Sequence, residues 1–463
     1  MYLLKTSKND ILFSPHIKEY TYKQIELPMG DKLLNEDFLR LFCEKNSDGT
    51  MHLRLRGREL FQRFGHRLQA KHMKTIAYFM RKYNQIISVN LSYNDFGDKG
   101  MKILSKHFFN HQNNLLYLCA IHCDIHAEGM KHFSSAKHLN LITCELNGNK
   151  IGAEGARYIA RLIERCPTLE VMNIAETDQT LESIESILIV TEDSHLKSLD
   201  ISRVIPNSFY TRYNESTLAD DLAVALKLNE YLVELHIQKL GFDGHDVEIL
   251  LSGLSANRTL EVLNLGCNRI GDLGVEMLAV WLKTRPALRV LNISANNIRN
   301  TGARALSMGM PYSKLRMLDI SSNHLEDVGL TDILDTIKKY SQMRILFMWG
   351  NKFGQTACKR LNRMLESSAL DQDYVDVKIY VVDGKFEAAY YPMNLYKLNY
   401  YSVAKHGYPD TIKIIRNKIY GPDVLPRKLL DITHMDRYPK VDEDLGVYVK
   451  KEARCDENNN QHD

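Results

Sequence analysis

Leu260–Ile270 reads LEVLNLGCNRI, and the same arrangement returns three times downstream, as LRVLNISANNI (Leu288–Ile298), LRMLDISSNHL (Leu315–Leu325) and MRILFMWGNKF (Met343–Phe353). Apolar residues stand at the first, fourth, sixth and eleventh places of each copy and Asn at the ninth. Alternation around the fourth to sixth places is that of a short strand, whose side chains point by turns to opposite faces. Leu263 and Leu265 therefore face inward, and Asn264 between them faces the other side. The ninth-place Asn turns the chain out of the strand. Its amide carries donors and an acceptor, so it can bond backbone groups of its own and adjacent coils where the bend would leave them unpaired. One copy cannot bury its apolar face alone, whereas stacked copies can.

This is the leucine-rich-repeat signature, and it extends upstream in weaker form. Copies begin near His52, Ile86, Leu115, Leu141, Leu169, Leu196 and Leu232. The ninth place falls at 94, 123, 149, 177, 204, 240, 268, 296, 323 and 351, a period near 28 interrupted by one interval of 36. Such a period leaves room for a full helix after each strand. Ala153–Cys166 and Asp272–Arg285 show the matching i, i+3, i+4 apolar spacing. The predicted fold is α/β: a curved leucine-rich-repeat solenoid of about eleven repeats, with parallel strands on the concave side and helices on the convex side. Residues 1–50 are read as a leader with a capping helix in KLLNEDFLRLFCEK, and 51–368 as the solenoid. Residues 369–391 are read as a capping β-hairpin turning at Asp383-Gly384, 392–441 as a Tyr/Pro-rich arm, and 442–463 as a disordered tail.

The ninth-place ladder is Asn94, Asn149, Asn268, Asn296, Asn323 and Asn351, with Cys123, Thr177, Val204 and Leu240 as departures. Those departures, a weak-looking helix in QTLESIESILIV and about eight extra residues near Pro206–Asn214 mark the middle of the chain as irregular. Glycine pairs such as Gly152/Gly155 and Gly271/Gly274 precede helices. They read as helix-start geometry, since no phosphate-binding G-x-x-x-x-G-K-[ST] pattern occurs.

Register also predicts the concave face. Its central column is Arg54, Asn90, Cys119, Glu145, Asn173, Asp200, His236, Asn264, Asn292, Asp319 and Phe347. Arg56, Tyr93, Tyr117 and Trp349 are read beside it as further partner-binding candidates, with Phe347 and Trp349 as aromatic anchors. Either they form an open hot spot or the C-terminal hairpin covers them. Between Met51 and Lys82, nine basic residues (Arg54, Arg56, Arg58, Arg63, Arg67, Lys71, Lys74, Arg81, Lys82) oppose one acid, Glu59, a local excess of 9 − 1 = +8. It reads as a patch for phosphate or an acidic partner, or as a solvated cap surface.

Composition sets outer limits. The chain has 463 residues, 44% hydrophobic and 25% charged, with net charge +3, so no global attraction to nucleic acid or membrane is implied. No secretory signal and no membrane span are expected. The eight cysteines are scattered without C-x-x-C and read as reduced thiols of an intracellular protein. Cys119, His122 and Cys123 are accounted for by the repeat, so no metal site is expected. No Ser-His-Asp or Cys-His grouping stands out, and the chain is read as a non-enzyme without cofactor or small-molecule substrate.

The period resembles the ribonuclease-inhibitor-like class of leucine-rich repeats, which includes ribonuclease inhibitor, the Ran GTPase-activating protein and the sensor half of NOD-like receptors. The junction WGNKF (Trp349–Phe353) followed by VDVKIYVVDGKFEAA (Val375–Ala389) is similar to the leucine-rich repeat-containing protein 34 family, a resemblance spanning roughly residues 50–391. That resemblance implies a non-enzymatic intracellular protein of stem and germ cells, linked to nucleolus and cytoplasm and acting through protein contacts. The expected activity is thus a monomeric protein-interaction scaffold in cytoplasm and nucleus. Rival readings are a GTPase regulator presenting Arg54 or Arg56, an RNA binder using the basic patch, and a structural protein of the ciliary or flagellar axoneme.

Overall fold

The computed structural model describes residues 34–46, 49–206, 213–337 and 343–391. The leader before Leu34, most of the Pro206–Asn214 insertion, the Tyr/Pro-rich arm and the tail lie outside the described residues.

One sheet of twelve strands runs the length of the protein in sequence order. Its strands are β1 Cys43–Lys45, β2 Met51–Arg54, β3 Ile86–Asn90, β4 Tyr117–Cys119, β5 Thr143–Glu145, β6 Val171–Asn173, β7 Ser198–Asp200, β8 Glu234–His236, β9 Val262–Asn264, β10 Val290–Asn292, β11 Met317–Asp319 and β12 Ile345–Phe347. From β2 to β12 every pairing is parallel and in sequence-repeat register, for example Leu263 beside Leu291 and Leu291 beside Leu318. A parallel neighbour requires a crossover, and each crossover here is a helix. The helices are α1 Glu36–Leu41, ahead of the sheet, then the crossovers α2 Gly57–Phe64, α3 Met73–Lys82, α4 Gly97–Leu104, α5 Ala127–Ser134, α6 Gly152–Arg165, α7 Leu181–Glu192, α8 Glu215–Leu228, α9 Gly244–Leu254, α10 Gly271–Lys283, α11 Asn300–Gly309 and α12 Asp327–Thr336, and after the last strand α13 Gln355–Glu366. Successive helices from α4 to α13 pack on one another. The inward leucines of the strands and the buried helix faces merge into one continuous apolar core. The protein is the solenoid the repeat predicts.

The ends are capped by strands as well as by a helix. The leader's helix is only the six residues of α1, started by the Asn35 side chain accepting from the Phe38 N–H. After Phe42 the chain turns into β1, which pairs antiparallel with β2 and covers the first edge of the sheet. At the other end Val375 bridges to Leu346. The Asp376 carboxylate accepts from Met348 N at 2.8 Å and Trp349 N at 3.3 Å. The hairpin β13 Val377–Val382 and β14 Lys385–Tyr390 turns at Asp383 and Gly384, both with positive φ (48° and 74°), and packs on α13. That is the backbone a two-residue Asp-Gly turn supplies.

One expectation is corrected. The helix read as short and weak from QTLESIESILIV is α7, twelve residues long. It is started by a capping box in which Thr180 and Ser183 exchange side-chain bonds with each other's backbone N–H. Capping set its length; its apolar pattern is what made it look weak.

Candidate interaction face

The ninth-place residues are the joints of the solenoid. Asn149 donates to Ala120 O (2.8 Å) in the preceding coil and Leu146 O (2.6 Å) in its own, and accepts from Cys123 N and Ile125 N. Asn268 and Asn323 repeat this scheme. Asn94, Asn296 and Asn351 each donate to a carbonyl of the coil before. Where Asn is absent, other groups stand in. Cys123 places its Sγ 3.2 Å from Leu91 O. The Thr177 hydroxyl bonds its own coil, at Ile174 O, and Gln179 reaches back to Gly152 O at 3.1 Å instead.

The residue before the ladder is left-handed in all ten coils, from Tyr93 (φ 62°) through Lys239 (54°) and Ser322 (57°) to Gly350 (84°). Only two of the ten are glycine, so residue type does not mark the position. The bend is held instead by backbone bonds to the next coil, such as Cys267 N to Ser294 O at 2.8 Å. These left-handed residues form one rim of the sheet.

The predicted concave column exists as a column. Arg54, Asn90, Cys119, Glu145, Asn173, Asp200, His236, Asn264, Asn292, Asp319 and Phe347 are Cα partners in unbroken succession. Its members are not open to solvent. Apart from half-buried Arg54 and Asp200, none is more than 4% exposed. A second column two residues earlier, holding His52, Tyr117, Glu234, Val262, Val290, Met317 and Ile345, is buried too.

Six column side chains also serve the backbone. Asn90, Asn173, Asp200, Asn264, Asn292 and Asp319 each accept from the N–H two residues on, at 2.8–3.1 Å. This is the local bond Asn and Asp make at turns, and it explains the Asn/Asp content of the column without a ligand. Elsewhere in it, His236 Nε2 lies 2.8 Å from Glu234 Oε1, and its Nδ1 lies 3.1 Å from Asn264 Nδ2. Cys119 Sγ lies 3.2 Å from Glu145 Oε2. Burial, and then the Glu145 charge, push that thiol well above its usual pKa. Cys123 is pushed by burial to about 12. Neither is a thiolate nucleophile at neutral pH.

The aromatic candidates separate. Phe347 is fully buried, whereas Trp349 is 36% exposed with its ring 5.8 Å from Tyr390 of the hairpin. Tyr93 sits on the rim, stacked on His122 at 5.4 Å with the Arg58 guanidinium 3.9 Å above its ring. Tyr117 is buried in the second column.

The basic stretch is not one patch. Arg54 pairs with Glu59 (2.7 Å) and Glu44 (3.6 Å), and Arg56 lies 3.7 Å from Glu59. Lys82 pairs with Glu36 at 2.7 Å and Arg67 with Asp95 at 3.5 Å. Arg81 lies over the Tyr78 ring. Glu36, Glu44 and Asp95 fall outside the Met51–Lys82 window, so a linear count could not see them. Lys71 and Lys74 are exposed; the Arg63 side chain is outside what is described. A cleft of about 540 Å³ between the α1 cap and α2 is lined by Phe38, Leu60, Phe61, Arg67, Lys71 and His72, among others. Among the described residues no three His, Cys, Asp or Glu side chains gather as metal ligands, and no helix is long and apolar enough to cross a membrane.

Comparison with known proteins agrees with this geometry. Leucine rich repeat family models match residues 258–325 and, separately, 86–105 and 139–160. Leucine-rich repeat-containing protein 34 of mouse (Mus musculus) is 36% identical over 197 residues, 42% of this chain and 46% of that one. The human (Homo sapiens) protein of that name is 36% identical over 213 residues, 46% and 45% of the two chains. The matches thus span about half the length of these relatives. Among solved structures, one of the yeast Rad7 and Elc1 complex shares 14% identity at a TM-score of 0.42, covering 71% of this chain and 85% of that one, a likeness too loose to carry an argument. The chain is a leucine-rich-repeat protein, similar over part of its length to leucine-rich repeat-containing protein 34.

Proposed function

We propose that this protein is a non-enzymatic scaffold that binds a protein partner through its sheet face and terminal extensions. The observation that carries the reading is the unbroken register of eleven parallel strands. It sets two columns of side chains, one per coil, along a single elongated face. Such a face suits an extended protein segment contacted by several coils at once. Tyr93 on the rim of the first coils and Trp349 beside the rim residue Gly350 of the last supply aromatic groups with exposed area at both ends. The reading includes a cytoplasmic and nuclear location and a role in stem or germ cells, both taken from the resemblance to leucine-rich repeat-containing protein 34.

The rival readings find less support. The Arg54 and Arg56 guanidinium groups are engaged by Glu44 and Glu59, a poor start for an arginine acting in trans on a phosphate. The basic stretch is divided among acids of its own chain, which weakens the attraction an RNA backbone needs.

Crosslinked affinity purification of the full chain, with and without nuclease, tests the proposal. A defined protein set should survive nuclease and fall severalfold for Trp349→Ala. Collapse of the set on nuclease treatment, with capture unaffected by Trp349→Ala, would replace the scaffold reading with RNA binding.

A further inference from the structure

The hairpin of β13 and β14 has one covered edge and one open one. In an antiparallel pair joined by a two-residue turn, alternate residues bond across the pair and the others turn their N–H and C=O outward. With Val382 opposite Lys385, the outward set is Val377, Ile379 and Val381 on β13 and Phe386, Ala388 and Tyr390 on β14. Two glutamines fit that parity. Gln355 of α13 donates to Phe386 O at 2.8 Å and accepts from Phe386 N at 3.1 Å. Gln372 donates to Val377 O at 3.1 Å. The β14 edge is therefore held by α13, and β13 is the outer strand. Among the described residues nothing bonds the outward N–H and C=O of Ile379 or Val381.

An edge of this kind is usually blunted by proline, a bulge or charge. Here the register is unbroken, β13 reads VKIYVV, and its one charge, Lys378, lies 5.4 Å from the Tyr380 ring and 5.8 Å from that of Tyr391. Tyr380, Val381 and Val382 are 47%, 61% and 54% exposed.

We propose that β13 pairs with β13 of a second copy of this chain, antiparallel about Tyr380, joining the two hairpins into one sheet. The open groups select both occupant and register. Only another extended backbone offers donors and acceptors at the spacing of Ile379 and Val381. With the two-fold axis at Tyr380, Ile379 exchanges both bonds with the second copy's Val381, and Val381 with its Ile379. An axis at Ile379 would call on Val377, whose carbonyl Gln372 already holds. An axis at Val381 would call on Asp383, which is in the turn at φ 48°. The side chains agree with the axis at Tyr380: Tyr380 meets Tyr380, Ile379 meets Val381 and Lys378 meets Val382. Aromatic and β-branched pairs stabilise a sheet, and no like charges stand opposite each other. A foreign strand would meet the same backbone groups, but β13 carries no charge pattern to select one, whereas its own sequence satisfies every position. Pairing along one short edge makes an interface at the small end of the range, below roughly 1,200 Å². The dimer is accordingly weak and concentration dependent, and it replaces the expected monomer only as concentration rises.

Sedimentation velocity of the full chain reads the dimer directly. The wild type should sediment faster as concentration approaches the order of 100 µM. Tyr380→Lys sets like charges across the axis and should keep the chain monomeric, as should Tyr380→Glu. An equimolar mixture of these two variants should recover association, because opposite charges then face each other. Val381→Pro removes an outward N–H without removing a bond inside the hairpin, and should abolish the dimer. A wild type that stays monomeric would overturn the proposal. So would association that survives Tyr380→Lys or Val381→Pro, or a mixture no better than either Tyr380 variant alone. None of these readouts uses a protein partner, so their failure leaves the scaffold reading standing.

Discussion

At the scale of the residue, two kinds of Asn look alike in sequence and differ in consequence. Asn323 donates to carbonyls of two coils and accepts two N–H groups, all buried. Asn323→Ala leaves several of these unpaired, and urea unfolding should show a loss of roughly 3 kcal/mol. Asn292 on the strand, in the concave column, accepts one local backbone bond from Ser294 N, so Asn292→Ala should cost about 1 kcal/mol. Equal costs would mean that the ladder position is not the joint described here. The ladder was legible because its spacing is rigid. The structural use of the column was not, because a side chain two residues from the N–H it bonds has the same spacing whether or not it also meets a ligand. The left-handed residue before each ladder position left no trace either, since Tyr, His, Glu, Arg, Lys, Cys, Ala and Ser all occupy it.

At the scale of the element, helices are started by their neighbours. The Asp98 carboxylate accepts from His126 N and Gly129 N at the head of α5, and Asp272 from Arg299 N and Gly302 N at the head of α11. Asp327 accepts from Ala357 N (2.7 Å) and Thr356 N (3.2 Å) at the head of α13. Each is an N-cap supplied from the preceding repeat, and the glycine it faces lets the carboxylate approach: a Cβ on Gly302 would stand 2.6 Å from Asp272 Oδ1. Sequence reasoning found the glycines but not this, because the capping residue lies some thirty positions upstream of the helix it caps. Asp327→Ala should cost about 1 kcal/mol. Burial raises the Asp327 pKa, but the N–H bonds outweigh it and leave the carboxyl below the usual 3.8. A depressed folded value means that its stabilisation is complete above about pH 3.8 and is lost as pH falls through the lower folded value. The wild type and Asp327→Ala should therefore differ in denaturation midpoint at pH 6 and converge near pH 2; a gap that persists at pH 2 would show that the ionised cap is not its source.

The same scale explains the basic stretch. Its charge could be counted in the sequence, but its ion pairs could not, since the sheet and α1 bring Glu36, Glu44 and Asp95 to it from outside the counted window.

At the scale of the whole molecule, stability is a sum over coils and their junctions. The junctions at Thr177, Val204 and Leu240 lack the ladder Asn, and the Thr177 hydroxyl donates within its own coil. Amide hydrogen exchange should be faster in 174–206 than in 262–325, where the Asn ladder is continuous. Uniform protection would indicate that packing, not the ladder, sets the local stability. The fold at this scale was nearly all readable, because an eleven-residue pattern repeated at fixed period leaves one way to stack. What the face contacts was not, since register tells which side chains share a face and nothing about what lies on it.

The central claim is that this face, and not the helical back, is where the protein does its work. Lys239 and Cys267 are exposed on the rim and Lys352 beside it, just past the last ladder position, and Lys227, Lys283 and Lys359 are exposed on helices α8, α10 and α13. Crosslinking mass spectrometry of the full chain with its captured protein partner compares the two sets. We expect inter-protein crosslinks at the rim residues and few at the helical lysines. Crosslinks concentrated on Lys227, Lys283 and Lys359 would contradict the account and move the binding surface to the convex side.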